Sequence, residues 1–205
     1  MFRIKQLIFF FLSNFCCLHV YSQTKSLLLQ IGKGTHGTGD MKGFYFDAAY
    51  QQSIQKKTFY LIGVGATIHD RSETVFYNNN SGVLQSSTYR ANASGFQLFA
   101  QYGIHLIQSK WLNVGVKAGP LLRFQSSTYY DELGKYYPIL TNFPFVLYDV
   151  VHTSPLRTYT IGGVADLFVQ HHLNKKIVIG ANLGLQSDSN GDLITRLGVS
   201  IGRNF

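Results

Sequence analysis

The most regular feature of the chain is a two-residue alternation between apolar side chains and small or polar ones. In segment 192–205, Leu197 and Val199 share one face, whereas Arg196 and Gly198 share the other. Successive side chains of a β-strand point to opposite faces, so a period of two predicts a strand and not a helix.

Seven further segments repeat this alternation and are rich in β-branched and aromatic residues. In chain order, the eight predicted strands are 27–32, 43–52, 58–69, 94–107, 111–124, 157–170, 176–186 and 192–205. After residue 22, no apolar run reaches the roughly 20 residues that a membrane helix needs. The sequence therefore predicts an all-β fold whose apolar residues are spread over its strands.

The connections between these segments alternate in length. Those after the second, fourth and sixth strands are short turns, at 53–57, 108–110 and 174–176. The connections after the first, third and fifth strands, at 33–42, 70–90 and 125–155, are longer, and only 187–192 is a short exception. Short turns at one end and long loops at the other are typical of outer-membrane β-barrels. We predict a transmembrane, antiparallel, up-and-down barrel of eight strands, with both termini at the short-turn end.

The composition decides which face of each strand meets lipid. Charged residues make up 14% of the chain, against roughly 25% in typical globular proteins. The less apolar face consists mainly of Gly, Ser, Thr, Asn and Gln, which are too small and too weakly charged for an ordinary water-exposed surface. Such side chains suit the narrow interior of an eight-stranded barrel. We therefore expect the apolar face to contact lipid and the small, polar face to line the interior.

Four mid-strand charges fall on the predicted inward face: Asp47, Lys117, Asp166 and Arg196. Two acids and two bases balance, and buried charges need partners. We predict an internal salt-bridge network that closes the lumen, with a narrow ion path as the alternative.

Four aromatic residues are predicted to form interfacial girdles on the lipid side: Tyr45, Tyr102, Trp111 and Tyr159. The alternative for these residues is packing within a core.

The amino-terminal segment 1–22 has the features of a secretory signal peptide. Arg3 and Lys5 precede an apolar stretch, and we expect cleavage after Ser22, which leaves the barrel domain at 23–205. An uncleaved membrane anchor or a lipoprotein signal is the alternative. Both cysteines, Cys16 and Cys17, lie in this segment, so the mature chain is expected to contain no disulfide or thiolate site. It keeps 16 basic and 10 acidic residues, without the clustered basic stripe of a nucleic-acid surface.

The strand pattern and the final aromatic residue resemble the small outer-membrane β-barrel proteins of Gram-negative bacteria. The residues that carry the resemblance are Leu197, Val199, Ile201 and Phe205, and in style the chain is similar to the porin-like and PorT-like barrels. The resemblance implies an integral outer-membrane location, contact with outer-membrane lipid and recognition of the last strand by the barrel-assembly machinery. Deletion of Phe205 is then expected to impair assembly more than stability.

The loops contain residue types that catalysis uses, but in no fixed spacing. The candidate acids, bases and nucleophiles are His69, Asp70, Ser72, Glu73, Asp149, His152 and Ser154. His171 and His172 lack further obvious metal ligands, and the glycine-rich segment 32–39 lacks the Lys-Ser or Lys-Thr of a phosphate loop. We therefore predict no catalytic, cofactor-binding or metal-binding residues, and no enzymatic activity.

The most distinctive loop is 126–155, with five tyrosines at 129, 130, 136, 137 and 148, together with Phe143 and Phe145. Exposed tyrosines favour partner binding at low entropic cost, while the alternative is a cap over the barrel mouth. We expect a monomeric barrel with a closed, side-chain-filled lumen and a structural or surface-binding role, through an extracellular or periplasmic protein partner. The alternatives are a surface enzyme that acts on lipid or peptide through His69 or His152, and a small transport or secretion component.

Overall fold

The computed structural model describes residues 24–37, 41–78, 84–128, 133–144, 146–150 and 154–205. The predicted signal peptide, 1–22, lies outside the described residues. The strands are β1 (Lys25–His36), β2 (Met41–Ser53), β3 (Thr58–Asn78), β4 (Leu84–Gln108), β5 (Leu112–Thr128), β6 (Leu133–Tyr136), β7 (Leu147–Val150), β8 (Leu156–His172), β9 (Ile177–Asp188) and β10 (Leu193–Asn204). One short helix, α1 (Pro138–Thr141), lies between β6 and β7.

Eight of these strands form a closed antiparallel barrel in the order β1-β10-β9-β8-β5-β4-β3-β2. The first and last strands pair along their length, from Ser26 opposite Asn204 to His36 opposite Ile194. Closure leaves the sheet without an edge and pairs the backbone N–H and C=O groups of every strand with a neighbour. The predicted eight-stranded, antiparallel barrel is confirmed.

The long-loop end differs from the prediction in three places. The connection predicted at 33–42 is wrong, because β1 and β2 stay paired as far as His36 opposite Met41. The pairing of β3 with β4 continues as far as Asn78 opposite Leu84, so the loop predicted at 70–90 is wrong. The two strands run on as a hairpin, with the hydroxyl oxygens of Thr74 and Thr88 3.0 Å apart across the pair. The segment predicted as an irregular loop after β5 also contains a small sheet of β6 and β7. The outward positions that follow Asp70 on β3, Ser72 and Thr74, are exposed polar residues, so the apolar face that identifies a membrane strand is interrupted there.

The side-chain distribution is the reverse of that in a water-soluble protein. Apolar residues on the outer face are exposed, as at Ile68 (65%) and Leu197 (64%), whereas Arg123 and Gln125 in the interior have no exposed surface. A continuous apolar exterior of this kind is matched to hydrocarbon and not to water. The prediction of which face meets lipid is confirmed. A small apolar cluster also lies inside the barrel: Leu28, Ala49, Leu61, Phe99, Leu121 and Val164.

In the described part of the chain, no helix has the length and apolarity needed to cross a bilayer.

Candidate functional site

The predicted ion pairs meet in the middle of the barrel interior. Arg196 on β10 donates through Nη2 to Oδ2 of Asp47 on β2. Lys117 Nζ on β5 lies 3.7 Å from Asp166 Oδ2 on β8. All four residues are buried, so the predicted pairing of two acids with two bases is confirmed. Mutual pairing is what makes burial of these charges tolerable.

Amide side chains from β4 complete the coordination of both carboxylates. Gln97 Nε2 donates to Asp47 Oδ1 at 3.3 Å, and Gln101 Nε2 donates to Asp166 Oδ2 at 2.7 Å. Each carboxylate is therefore held by a cation from one strand and an amide from another. The contacts of Asp47 with Arg196 and Gln97, and of Asp166 with Gln101, each join strands that have one strand between them, whereas Lys117 and Asp166 lie on neighbouring strands.

Glycines opposite the two carboxylates provide the space that they occupy. A Cβ atom placed on Gly65 would overlap Asp47 Oδ1, and one placed on Gly184 would overlap Asp166 Oδ1. The small residues of the inward face are thus sites into which side chains from the neighbouring strands fit.

The prediction that Tyr45 belongs to an interfacial girdle is wrong. Tyr45 is 2% exposed and points into the lumen. Its hydroxyl accepts a hydrogen bond from Asn182 Nδ2 at 2.7 Å, and the Arg196 guanidinium lies over its ring at 4.2 Å. Tyr45 is two residues before Asp47 on β2, so the two side chains lie on the same face of the strand.

The other three aromatic residues lie on the outer surface. Trp111 and Tyr102 are about half exposed, and Tyr159 is 79% exposed. Trp111 lies next to β5 at the short-turn end, whereas Tyr159 lies near the start of β8 at the long-loop end. Exposed aromatic residues at both ends of the apolar surface fit the predicted interfacial girdles.

A second polar cluster fills the lumen near the long-loop end, around Arg123 on β5. Arg123 Nη1 lies 3.3 Å from Asp188 Oδ2, and its Nη2 donates to Thr67 Oγ1 at 3.0 Å. The His36 ring lies 3.3 Å from Asp192 Oδ2 through Nε2. The sequence reasoning missed this cluster. Arg123 is six residues after Lys117 on β5, and because side chains alternate along a strand, this even spacing places both on the same face.

The carboxyl group of Asp192, in the turn between β9 and β10, has a lowered pKa. Contact with His36 lowers the pKa of its carboxyl group, Gln125 and Arg123 lower it further, and these effects outweigh the opposing effect of burial. The carboxylate form is thereby favoured in the folded barrel.

The structure separates the first group of candidate catalytic residues. His69 is fully buried in the lumen, with its ring 5.4 Å from that of His36. Asp70 lies on the outer face, where its Oδ2 accepts hydrogen bonds from Arg90 at 2.6 and 3.2 Å. His69 and Asp70 are therefore on opposite sides of the barrel wall and do not form an acid–base pair.

The remaining candidates are not brought together in the described part of the chain. Ser72 is exposed on β3, and Ser154 is exposed just before β8. His152 lies outside the described residues, as do the side chains of Glu73 and Asp149.

His171 and His172 also point to opposite sides of the wall. His172 faces inward and lies 2.9 Å from Asn113 Nδ2 through its Nε2, while His171 is exposed outside. Among the residues that the structure describes, no group of three or more histidine, cysteine or acidic side chains is arranged to hold a metal ion.

A cavity of ≈ 560 Å³ opens at the short-turn end, where Asn113, His172, Gln170 and Lys175 are among its lining residues. Towards the barrel interior the cavity reaches His105, whose ring packs against Phe59 at 4.9 Å and Phe168 at 5.6 Å. The cavity is therefore a vestibule that ends on packed aromatic side chains.

The long-loop end presents an apolar segment outside the barrel, formed by α1 and its flanking residues. Ile139 is 90% exposed and Leu140 is 72% exposed. Pro138 begins the helix, and Asn142 ends it in the left-handed conformation with φ 57°, donating its N–H to the Pro138 carbonyl. The helix is a single turn whose large aliphatic side chains are not covered by the barrel. Tyr136, Tyr137 and Phe143 are also exposed, and we call these five residues the apolar loop segment.

The barrel is similar to two solved outer-membrane proteins. One is Ail, the attachment invasion locus protein of Yersinia pestis, with a TM-score of 0.52 and 8% sequence identity over 90% of this chain and 100% of that chain. Another Ail structure, in complex with the heparin analogue sucrose octasulfate, gives the same values. The other is Neisserial surface protein A (NspA), with a TM-score of 0.55 and 10% identity over 90% of this chain and 98% of that chain.

At these identities the likeness concerns the fold. No protein-family profile matches the sequence, and no curated protein matches it significantly. The closed eight-stranded topology and the apolar exterior agree with the similarity to these barrels.

Proposed function

We propose that this integral outer-membrane β-barrel protein is a non-conducting scaffold that binds a protein partner through its extracellular side. The observation that carries the proposal is the apolar loop segment, where Ile139 is 90% exposed and Leu140 is 72% exposed. Large aliphatic side chains that face water at a loop tip favour binding to an apolar surface. The tyrosines beside them provide rigid contact area with a polar end.

The barrel interior supports the non-conducting part of the proposal. The Asp47–Arg196 and Lys117–Asp166 pairs are buried inside the bore, and the Arg123 cluster fills it nearer the extracellular side. Because these charges bind one another, they are not arranged as a line of free sites for a passing ion.

The comparison with Ail supports surface binding only by analogy of fold. Ail is the attachment invasion locus protein of Yersinia pestis, and one of its structures contains the heparin analogue sucrose octasulfate. Here the exposed loop segment is apolar, so we propose a protein with an apolar groove and not a sulfated polysaccharide as the partner.

The experiment is affinity capture of the tagged barrel from intact cells after cross-linking. Ile139→Ser/Leu140→Ser should lose the polypeptide that co-purifies with the wild-type protein, because both apolar contacts are removed. Ser154→Ala, in the same loop region, should retain it. Heat-modifiable gel mobility shows that both variants fold. Equal capture by both variants, or no specific polypeptide with the wild-type protein, would contradict the proposal.

We also propose that the protein is not an enzyme. The supporting observation is that His69 is buried inside the wall and Asp70 points outward to Arg90. Mass spectrometry of lipid A and of outer-membrane peptides should give the same spectra from cells with and without the protein. A modification that requires the protein, and that is lost in the Ser154→Ala or His69→Gln variant, would support the enzymatic alternative.

A further inference from the structure

Basic residues lie at both ends of the barrel, but the acidic residues of the described strands and turns are absent from the short-turn end. Seven exposed basic residues lie at the short-turn end, which is the periplasmic end of such barrels: Lys25, Lys56, Lys57, Lys110, Lys175, Lys176 and Arg203. The segments that form this end, 24–26, 53–58, 108–112, 171–178 and 202–205, contain no Asp or Glu. We call these seven residues the basic rim.

The acidic side chains of the described strands and turns lie elsewhere. Asp47 and Asp166 are paired inside the lumen, while Asp70, Asp188 and Asp192 lie near the extracellular end. The basic rim therefore has no neighbouring acidic side chain in the described barrel that could neutralise it.

The basic rim begins where the apolar exterior ends. Leu106, Leu112 and Ile201 are exposed on the neighbouring outer face, and the rim residues follow directly in the turns and strand ends. Lysine and arginine at the border of an apolar exterior extend their charged groups towards lipid headgroups, while their alkyl stems stay on the apolar surface.

Aromatic side chains are interleaved with the rim. Lys110 Nζ lies 5.2 Å from the centre of the Trp111 ring, and the Arg203 guanidinium lies 5.7 Å from that of Phe205. Trp111 and Phe205 are exposed. Tryptophan next to lysine is the composition found at the membrane–water interface.

From this combination, we propose that the basic rim binds the anionic phosphodiester headgroups of phospholipids in the periplasmic leaflet. The attraction follows from charge complementarity at headgroup depth. Lipid fits better than an acidic protein because the rim residues come from all three short turns and from the β1–β10 seam. They are thus distributed around the circumference that lipids surround, and not collected on one side.

Trp111, the single tryptophan of the chain, is a built-in reporter of the periplasmic rim. The purified full-length barrel is placed in vesicles of phosphatidylcholine and phosphatidylglycerol at one fixed ratio. In one series only the phosphatidylglycerol acyl chains are brominated, and in the other only those of phosphatidylcholine. Bromine quenches tryptophan fluorescence on contact, so the two series compare how often each lipid lies next to Trp111.

We expect quenching to report about threefold enrichment of phosphatidylglycerol at Trp111. The enrichment should disappear in 0.5 M salt, since salt screens exposed charges at a Debye length of about 4 Å. Random mixing, in which the quenching in each series matches the share of that lipid in the vesicle, would overturn the proposal and leave the rim to an acidic protein partner.

The variant Lys56→Gln/Lys175→Gln/Lys176→Gln removes three rim charges in exposed turns without altering Lys110, which contacts the reporter. In this variant the enrichment of phosphatidylglycerol at Trp111 should fall towards one, the value for random mixing. The matched control, Lys33→Gln/Lys42→Gln/Arg157→Gln, removes three outward-facing basic residues nearer the extracellular end and should keep the wild-type value. Undiminished enrichment in the rim variant would also overturn the proposal.

Discussion

At the scale of single residues, the barrel interior depends on the match between glycines on one strand and charged side chains on the next. Gly65 makes room for the Asp47 carboxylate, and Gly184 does the same for Asp166. Lone glycines in a strand usually weaken it. Here the cost is offset, because a longer side chain would displace one member of a buried ion pair.

Gly65→Ala should therefore destabilise the barrel by about 1–3 kcal/mol, the usual cost of overpacking a filled interior. Urea unfolding in lipid vesicles gives the free energy of unfolding. Gly163→Ala is the matched control, because the nearest atom to its added Cβ is the Gly119 carbonyl oxygen at 3.7 Å. It should change stability by less than about 0.5 kcal/mol. Equal effects at the two glycines would contradict the steric explanation.

Asp192 makes the stability of the barrel depend on pH. Contact with His36 lowers the pKa of this carboxyl group in the folded state, relative to about 3.9 in an unfolded chain. Its contribution is thus complete above about pH 4 and is lost as pH falls through the folded-state pKa. Between pH 5 and pH 3, wild-type stability should fall more steeply than that of Asp192→Asn. Parallel curves from urea unfolding would show that Asp192 contributes nothing to this dependence.

Whether a side chain points into the lumen or towards lipid is predicted better by its place in the strand alternation than by its residue type. The frequency of tyrosine at membrane interfaces predicts a girdle position for Tyr45, yet its position on β2 places it inside with Asp47. The alternation likewise places Arg123 inside, but it lies beyond Pro120 and near the predicted strand end, so its charge was overlooked. Contacts such as the one between Asn182 and Tyr45 depend on barrel closure and shear, which one strand's pattern does not encode.

At the scale of elements, the apolar alternation was sufficient to identify all eight barrel strands, but of the three long connections that it predicted only the one between β5 and β8 is long in the structure. It failed where strands leave the membrane. The next outward positions of β3 beyond Asp70 are Ser72 and Thr74, so the apolar face is interrupted there and the pattern no longer distinguishes strand from loop. The strands continue there because backbone pairing with β4 does not require an apolar side.

The last strand carries an element-scale prediction about assembly. The Phe205 N–H donates to the Lys25 carbonyl at 2.8 Å across the β1–β10 seam, while its side chain is 70% exposed. Phe205→Ala keeps the backbone bond and removes only the exposed ring. We expect the folded protein in cell outer membranes to decrease severalfold, with little change in unfolding free energy for the purified barrel. A matching loss of stability would indicate a structural role and not recognition by the assembly machinery.

At the scale of the whole molecule, the filled interior predicts the absence of ion conduction. In planar bilayers with 1 M KCl, the wild-type barrel should give no discrete conductance steps. A variant that lacks residues 133–150 should behave in the same way, because the paired charges and not the loop occupy the bore. Steps that appear only in the shortened variant would identify the loop as a cap over an open lumen.

The pairing of β1 with β10 also determines when in its biosynthesis the protein can mature. Ser26 and Asn204 are partners, so β1, which is synthesised first, cannot form this pairing until β10 has been synthesised. Until then, β1 is an unpaired edge beside a sheet whose apolar face is uncovered, which is an aggregation-prone state. Contacts so distant in sequence also form slowly. Before β10 pairs with β1, the resistance of the chain to aggregation is therefore set by how well this edge and the apolar face are kept from other chains, and not by the stability of the finished barrel.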